Sequence, residues 1–586
     1  MSDNQHHKYY DCVVIGHNEP SFDRYESLIR CYGTQSPAYR DLHTSFVTFA
    51  GRPMTYVDLL NSAHELTVWR GGNPGRPFVS GDMPHLAAAY LANFLRRSGL
   101  SATYVSLFQS EKEKLGALLA ANPLCVAITT TLYVLNFPAA EIVEFVRKCN
   151  PAVKIVIGGP LIANHARMHR DLVPLPRSIS SGQTLEQSPL MVALKDLGAD
   201  IYVIEAQGEL TLARIVQCLR ANGDLSEVPN LAYHHNGAFR RTIAIPENND
   251  LDNADIDWRH LPDTPLGPTI QTRTARSCAF KCAFCNYPTR AGKLTLASVG
   301  TVLRELDSMR DAGDVRNVVF IDDTFNVPLE RFKEICRALI DRAYGFNWFS
   351  YFRCSNSDEE AIDLMARSGC KGVFLGIESG SPDILKVMNK AASVDKYEEG
   401  IRRLKSCGIA TFASFLVGFP GETAYTVAET EAFIRGNAPD FYRAQLWYCE
   451  PGTPIFHDRD KHQIQGEGFQ WSHATMNNME AIDHVEHLLV NIAEAEWLPQ
   501  WSFDFWILPY LLGRGISISQ LREFAAAANR MLKAEIAGGI EVQHSRAQRK
   551  NMVDLIRCVG AWYPANSARP YTVDASASSA GKHTPL

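Results

Sequence analysis

Nowhere in the 586-residue chain do eighteen apolar residues run uninterrupted, so no membrane-crossing helix is expected. The opening MSDNQHHKYYDCVVIG lacks a basic region followed by an apolar core and a small-residue cleavage site, and a cytosolic (cytoplasmic) protein is the expectation. Positive charge is not in excess. With 58 Lys plus Arg against 64 Asp plus Glu, the net charge is −6, which excludes a global basic field for nucleic acid or an anionic membrane. Cysteine is sparse, 14 in all, too dilute for a secreted disulfide framework. The dinucleotide fingerprint GxGxxG is missing, and no tandem repeat of solenoid period is present. What remains is a globular composition, 46% hydrophobic and 21% charged, with length for several domains.

Over residues 1–245 strand patterns alternate with helix patterns, the signature of a parallel sheet covered on both faces. β-Branched or alternating runs at 11–16, 102–108, 125–131, 154–160 and 201–204 read as strands. Amphipathic runs at 84–99, 138–149 and 209–222 read as helices. Five strands with crossover helices make a Rossmann-like domain. Two stretches read as insertions: 31–83, with a hairpin at Gly51, Arg52 and Pro53, and a Pro- and Ser-rich loop at 172–189. Asn236-Gly237 between alternating runs marks a closing hairpin at 230–242, and the polar stretch 246–268 reads as a linker. Open α/β sheets bind ligands outside the carboxyl ends of their strands. That places Gly16, His17, Asn18, Thr129, Thr130, Thr131, Gly158, Gly159, Gly208 and Glu209 at the ligand edge.

A second alternation begins at Thr269. Strands at 269–276, 317–321, 347–353, 372–377, 410–417 and 442–448 alternate with helices, six βα units that predict a partial (β/α)6 barrel over 269–480. Residues 481–564 are mostly helical, with amphipathic runs at 521–536 and 548–559, and these helices are expected to cover the site. The Ala-, Ser- and Pro-rich end, 565–586, reads as a disordered tail. The fold class is thus α/β, a Rossmann-like domain followed by a partial barrel and a helical carboxyl-terminal region.

Directly after the first barrel strand, TARSCAFKCAFCNYP spaces Cys278, Cys282 and Cys285 as CxxxCxxC. Three thiolates on a short loop can hold three irons of a cubane cluster and leave the fourth iron open, whereas a closed structural zinc site takes four protein ligands. A zinc site would need a remote fourth ligand such as Cys336 or Cys354, and three unrelated thiols are the third reading. Phe280 and Phe284 within the loop would shield a cluster from water.

CxxxCxxC after strand one, GIESGS at 376–381 and GFPGET at 418–423 together resemble the radical S-adenosylmethionine (SAM) superfamily, over 269 to about 454. The resemblance implies a 4Fe-4S cluster on the three cysteines whose unique iron chelates SAM, and reductive cleavage of SAM to a 5′-deoxyadenosyl radical with an external electron donor. By position it assigns Asp322 or Asp323 to the SAM amino group, Arg353 to the carboxylate, Glu378 and Ser379 to the methionine or ribose portion, and Ser414 and Gly418 to adenosine. The family's GGE motif after strand two is absent. A Rossmann-like domain before such a barrel resembles the cobalamin-binding class of the superfamily, although the signature DxHxxG is also missing, which fits base-off cobalamin or a vestigial domain. His17 is then either a cobalt ligand or a hydrogen-bonded loop histidine.

The runs DCVVIGHNEPSFDRYESLIRCYG, AITTTLYVLNFPAAEIVEFVR and GGPLIANHA resemble the PhpK-type radical SAM P-methyltransferases of phosphinothricin-type antibiotic biosynthesis. That family implies methylcobalamin-dependent methylation of a phosphinate phosphorus. The alternatives are C-methylation or aminocarboxypropyl transfer to arsenic by a related radical enzyme, or a cobalamin or iron-sulfur sensor. A small acidic substrate would want cationic clamps, for which Arg273, Arg276, Arg290, Lys293 and Arg443 are candidates. Tyr448 or Cys449 could meet substrate at the end of strand six, and Trp471 and His473 could form a lid.

Overall fold

The computed structural model describes residues 9–168 (except 20, 70–76, 80–81, 132 and 134), 189–538 (except 206, 262–265, 314, 500 and 502–506), 550 and 553–554. The expected loop at 172–188, nearly all of the helix at 548–559 and the tail at 565–586 lie outside the described residues.

The amino-terminal sheet has seven strands. Their spatial order is Ala102–Leu107, Cys12–His17, Cys125–Thr129, Lys154–Gly158, Ile201–Val203, Leu231–His235 and Ala238–Arg241. The first five are parallel and the last two add an antiparallel hairpin at one edge. Taken in chain order, the parallel strands run 2-1-3-4-5, a doubly wound topology whose switch point lies between the strands ending at His17 and Thr129. Both faces are covered. Cys12, Val14, Tyr104 and Ala127 enter one core, while Val13, Ile15, Val105 and Ile128 enter another on the opposite face.

The second sheet is also seven-stranded and parallel throughout: Thr269–Thr272, Asn317–Phe320, Asn347–Tyr351, Cys370–Glu378, Ala410–Val417, Phe441–Leu446 and Glu496–Trp497. Six strands match the expectation. The seventh is two residues long, too short for any periodicity to announce. Strand one is shorter than expected, because the chain breaks at Arg273–Thr274 and resumes as Ala275–Arg276, antiparallel to Thr295–Leu296. Its first and last strands are not paired with each other, so the barrel is open.

The first of the two expected insertions closes that opening. Beyond Tyr442, strand six keeps strand five on one side but among the described residues has no strand on the other, where the Leu446 N–H donates to the Asp41 carboxylate at 3.1 Å. Asp41 sits on the helix Pro37–His43, which Ser36 caps and proline opens. Arg40 on the same helix binds Glu486 and Asp483 of the helix Asn478–Asn491. The short hairpin Val47–Phe49/Arg52–Met54 leads on to helix Ile518–Gly538. There Glu535, 1% exposed, accepts the Thr48 N–H at 2.8 Å and meets His43 Nε2 at 3.2 Å. Tyr56 donates to Asn529 at 2.6 Å, and Trp497 Nε1 to the Thr44 carbonyl at 3.1 Å. The two described helices of the carboxyl-terminal region lie elsewhere than over the site. Helix Ile507–Gly513 plugs the amino-terminal end of the barrel, the Pro509 carbonyl accepting from Thr269 Oγ1 and Asn317 Nδ2, and Ile518–Gly538 seals the open flank.

The stretch read as a linker is a packed strap. Leu251, Ile256 and Trp258 are buried, the backbone N–H of Ile256 and Trp258 Nε1 both donate to the Glu305 carboxylate, and Asn93 Nδ2 donates to the Asp255 carbonyl. A polar sequence misled here because its polar groups serve the packing too: Asp252 accepts from Ser298 and Thr301, and Asp255 pairs with Arg97 and Arg304.

Replacing Glu535 with Ala leaves the buried Thr48 N–H and His43 without their acceptor. The expected cost is about 2–3 kcal/mol of stability, read from denaturant unfolding with the slope unchanged. A loss below about 0.5 kcal/mol would show that the amino-terminal segment docks without this carboxylate.

Candidate functional site

The cysteine loop is made by the break in strand one. The Asp322 carboxylate accepts the N–H groups of Thr274 (2.7 Å) and Ala275 (2.8 Å) and the Thr274 hydroxyl, while Arg331 holds the Thr274 and Ala297 carbonyls. Ser277 then takes a positive φ of 73° and donates to the Gly292 carbonyl, throwing the chain over the carboxyl ends of the strands. Asp322 is thus consumed by the backbone, and burial pushes its carboxyl up from the ordinary range. Its neighbour Asp323 is solvent-accessible yet ringed by protein, as expected for a group lining a cavity. That surround and the charge of Asp322 push its carboxyl up to about 7.

Three outside anchors fasten the loop. Ala283 N–H donates to the Met388 carbonyl at 2.8 Å, Asn389 Nδ2 to the Lys281 carbonyl at 2.7 Å, and Ile455 N–H to the Ala283 carbonyl at 2.9 Å. Asn286 bonds to Glu450. Segments following strands four and six therefore set the loop's position. Burial pushes the Cys285 thiol up to about 11, with the charges of Cys282, Asp323 and Cys278 adding to it, so these four groups share one neighbourhood. Among the described residues no three His, Cys, Asp or Glu side chains converge closely enough to hold a single ion. The donor set of three thiols on one fastened loop suits a multi-iron cluster, whose irons take thiolates at separate corners.

Around the loop, Arg353 is 6% exposed and lies 3.6 Å over the Phe280 ring. It donates through Nε to Ser355, and its Nη2 is sealed with no hydrogen-bond partner. Glu378, with a positive φ of 70°, pairs with Lys390 at 2.9 Å, and the Lys390 ammonium stands 5.3 Å over Phe284. Lys390 is a site residue that no spacing in the sequence announced. Ser379 is wholly buried, its hydroxyl between Thr430 and the Ser381 N–H, so it braces the strand end. Ser414 pairs in register with Gly376 and is buried.

Gly418 is clamped at both ends of its residue. Its N–H donates to the Glu422 carboxylate and its carbonyl accepts from His473 Nε2 at 3.1 Å. His473 Nδ1 accepts from Thr475, which fixes Nε2 as the donor nitrogen. With φ at +92° and the Trp471 ring 2.5 Å from where a Cβ would stand, only glycine fits. Trp471 and His473 stack at 5.3 Å and are buried behind Gly418, so they form a wall and not a lid. Cys449 is fully buried, its thiol near the Gly466 carbonyl and pushed up to about 11 by burial, which argues against a reactive role. Tyr448 is half exposed against Phe469.

At the switch point of the amino-terminal sheet, His17 Nδ1, Asn18 Oδ1 and Tyr133 OH are buried with no close partner among the described residues beyond the Asn18 backbone facing the Tyr133 hydroxyl, and the His17 and Tyr133 rings lie 5.3 Å apart. Burial lowers His17 to about 4, so it is neutral. Three such polar atoms at one crevice fit a polar-rimmed ligand there. At Gly16 a Cβ would strike the His85 ring and the Ser106 carbonyl, which is a packing reason for glycine there. Thr129 bonds Thr131, Thr130 bonds the Gly158 carbonyl, and Glu209 receives the Gly208 N–H and Asn249 Nδ2. A Cβ on Gly158 or Gly208 would press on Val203, and one on Gly159 on Thr130. The two carboxyl-terminal edges face one another. Arg290, after the cysteine loop, donates to Asn164, after the strand Lys154–Gly158, at 3.0 Å.

Residues 272–434 match the radical SAM superfamily, and residues 78–173 match the B12 binding domain. An uncharacterized methyltransferase of Pyrococcus horikoshii is 25% identical, over 68% of this chain and 79% of that protein. The anaerobic magnesium-protoporphyrin IX monomethyl ester cyclase of Rubrivivax gelatinosus is 25% identical, over 65% of this chain and 67% of that protein. The fold resembles the radical SAM methyltransferase TsrM of Kitasatospora setae, solved with cobalamin and a [4Fe-4S] cluster. The TM-score is 0.57 at 17% identity, over 79% of this chain and 98% of that one. The chain carries a B12-binding domain followed by a radical SAM domain. A radical SAM domain implies a 4Fe-4S cluster and SAM, and a B12-binding domain implies cobalamin.

Burial pushes Glu422 up to about 7 from the ordinary 4.5. A carboxyl raised in the folded state contributes stability that is fully present below about 4.5 and is lost as pH rises through 7. Between pH 5 and 8 the protein should therefore lose stability relative to Glu422→Gln, by up to about 3 kcal/mol, in unfolding curves taken across that range. Parallel pH profiles for the two proteins would refute the assignment.

Proposed function

We propose that this cobalamin-dependent radical SAM enzyme methylates a small acidic substrate, and that the methylated centre is a phosphinate phosphorus, as in phosphinothricin-type biosynthesis. When bound, the cluster and SAM supply a 5′-deoxyadenosyl radical and the cobalamin supplies the methyl group. The observation that carries the reading is the meeting of two carboxyl-terminal strand edges across one seam. One bears the fastened cysteine loop, the other the crevice of buried polar atoms.

Within this reading Cys278, Cys282 and Cys285 hold the cluster. Asp323 receives the SAM amino group, because Asp322 is engaged by Thr274 and Ala275. Arg353 takes the carboxylate through its sealed Nη2, which Phe280 orients from below. Glu378 meets the ribose with Lys390 holding its charge, and the turn at Gly418 meets adenosine. Ser414 lines the barrel between them. On the other edge, His17, Asn18, Thr129 to Thr131, Gly158, Gly159, Gly208 and Glu209 border the corrinoid. The chain's own work is to bind, orient and keep water from the reacting centre. The domains are 1–245 for cobalamin, 246–268 for the strap, 269–480 for the radical barrel and 481–564 for the helical seal, with 565–586 as a tail. The protein acts in the cytoplasm with an external electron donor, and without nucleic acid or membrane partners.

Replacing Cys278, Cys282 and Cys285 with Ala should abolish iron and sulfide uptake and SAM cleavage while corrinoid binding persists. Chemical iron and sulfide analysis beside visible spectroscopy of the same anaerobic sample checks this. For the substrate, incubation with a P–H phosphinate should yield a P–CH3 product by 31P NMR. SAM cleavage with no P-methyl product, and methylation of carbon acids instead, would replace the phosphinate with a carbon centre.

A further inference from the structure

Two arginines, Arg276 buried and Arg273 half-buried, stand in the seam between the domains with buried donors left over. Arg276, two residues before Cys278, is 4% exposed. Its Nη2 donates to the Asn249 carbonyl at 2.9 Å, while Nε and Nη1 have no hydrogen-bond partner. Arg273, at the break in strand one, lies 4.6 Å over the ring of Tyr90 from the amino-terminal domain and acts on the Tyr90 hydroxyl, while its buried Nη2 meets no close acceptor among the described residues. Asn249 ties Arg276 to the amino-terminal domain, accepting from it through its carbonyl and donating through Nδ2 to Glu209, and the charges of Arg273, Arg276 and Glu209 all reach Tyr90. The neighbouring carboxylates are engaged elsewhere: Glu209 accepts from the Gly208 N–H and Asn249 Nδ2, and Asp322 from Thr274 and Ala275.

A buried guanidinium N–H without an acceptor is costly, and three such nitrogens along one seam call for an acceptor the described residues do not supply. Guanidinium forks match the paired oxygens of carboxylates and phosphorus oxyacids, and a ligand with two oxygens on one centre satisfies several N–H groups at once. Of the other cations near the loop, Arg353 stands over Phe280 and is assigned above to the SAM carboxylate. Arg290 is engaged by Asn164, and Lys293 is exposed. Tyr90 and Glu209 line the seam from the cobalamin side, and Arg276 joins it to the cluster loop.

We propose that Arg273 and Arg276 form the seat for the substrate's oxyanion, holding it in the seam between the two cofactor domains. This rests on the reading of the substrate as a small acid. The experiment uses the full chain loaded with cluster and cobalamin, with phenylphosphinate and benzoate as probes. Binding is followed by 31P line broadening for the first and by ligand-observed 1H NMR for the second. Arg276→Gln and Arg273→Gln should each weaken phenylphosphinate binding at least tenfold, with iron content and corrinoid uptake at wild-type levels. Arg273→Gln stands farther from the cysteines and answers the question if Arg276→Gln fails to load its cluster. Unchanged affinity in both variants, or no binding of either probe to the wild type, overturns the seat. Loss of corrinoid uptake with phosphinate binding intact also overturns it, and assigns the arginines to the phosphodiester of cobalamin. Arginine-dependent binding of benzoate without phenylphosphinate keeps the seat and removes only the phosphinate.

Discussion

A parallel sheet that stops short of closing leaves one edge strand with unpaired backbone groups, and the rest of this molecule is arranged around that edge. Among the described residues strand six of the barrel loses its neighbour on that side after Tyr442, and an acceptor there is supplied by Asp41 from a helix more than 400 residues earlier in the chain. To deliver that carboxylate, the segment from Pro37 to Tyr56 grips the helix Asn478–Asn491 through Arg40 and the helix Ile518–Gly538 through Glu535 and Asn529. An exposed parallel edge is a liability for aggregation, and covering it with the chain's own amino terminus removes that liability. The same contacts help draw the amino-terminal sheet against the barrel, so that their carboxyl-terminal edges meet.

The site itself is built by subtraction from regular structure. Strand one is interrupted where Asp322 captures two backbone N–H groups, and the freed chain becomes a loop fastened by Met388, Asn389 and Ile455. A second irregularity, the positive φ at Glu378, turns its carboxylate to Lys390. A third, at Gly418, is held by Glu422 on one side and His473 on the other. Each is a local departure from strand geometry over-determined by its neighbours, which suits positions that must hold ligands in a fixed place.

Much of this was legible in the residues. β-Branched runs and turn signals placed the five parallel strands of the first sheet and six of the second to within a few residues. Strands buried on both faces are continuous apolar runs, and little else in the chain looks like them. The cysteine spacing marked the loop. What misled was polar sequence that turned out to be structural. The strap before the barrel is anchored by Leu251, Ile256 and Trp258 together with Asp252 and Asp255, Asp322 serves the backbone, and Trp471 and His473 stand behind Gly418. In each case the residue type suited a ligand as well as it suited the fold, and only its partner decided. Lys390 had no sequence signal, and Arg273 and Arg276 stood as two of five candidate clamps with nothing to single them out, because a guanidinium reads alike whether it is solvated or buried.

The amino-acid sequence by itself determined the two parallel sheets, the cysteine loop and the chemistry those cysteines invite, since these depend on periodicity and spacing along a continuous stretch of chain. Tertiary structure alone decided that the amino-terminal segment seals the barrel, that the carboxyl-terminal helices plug its base and flank, and that two strand edges from separate domains face each other across one seam. Those outcomes depend on hydrogen-bond partners hundreds of residues apart, such as Asp41 with Leu446 or Thr48 with Glu535. No local pattern encodes a partner at that distance, because the energy that selects it appears only once both surfaces have left water together.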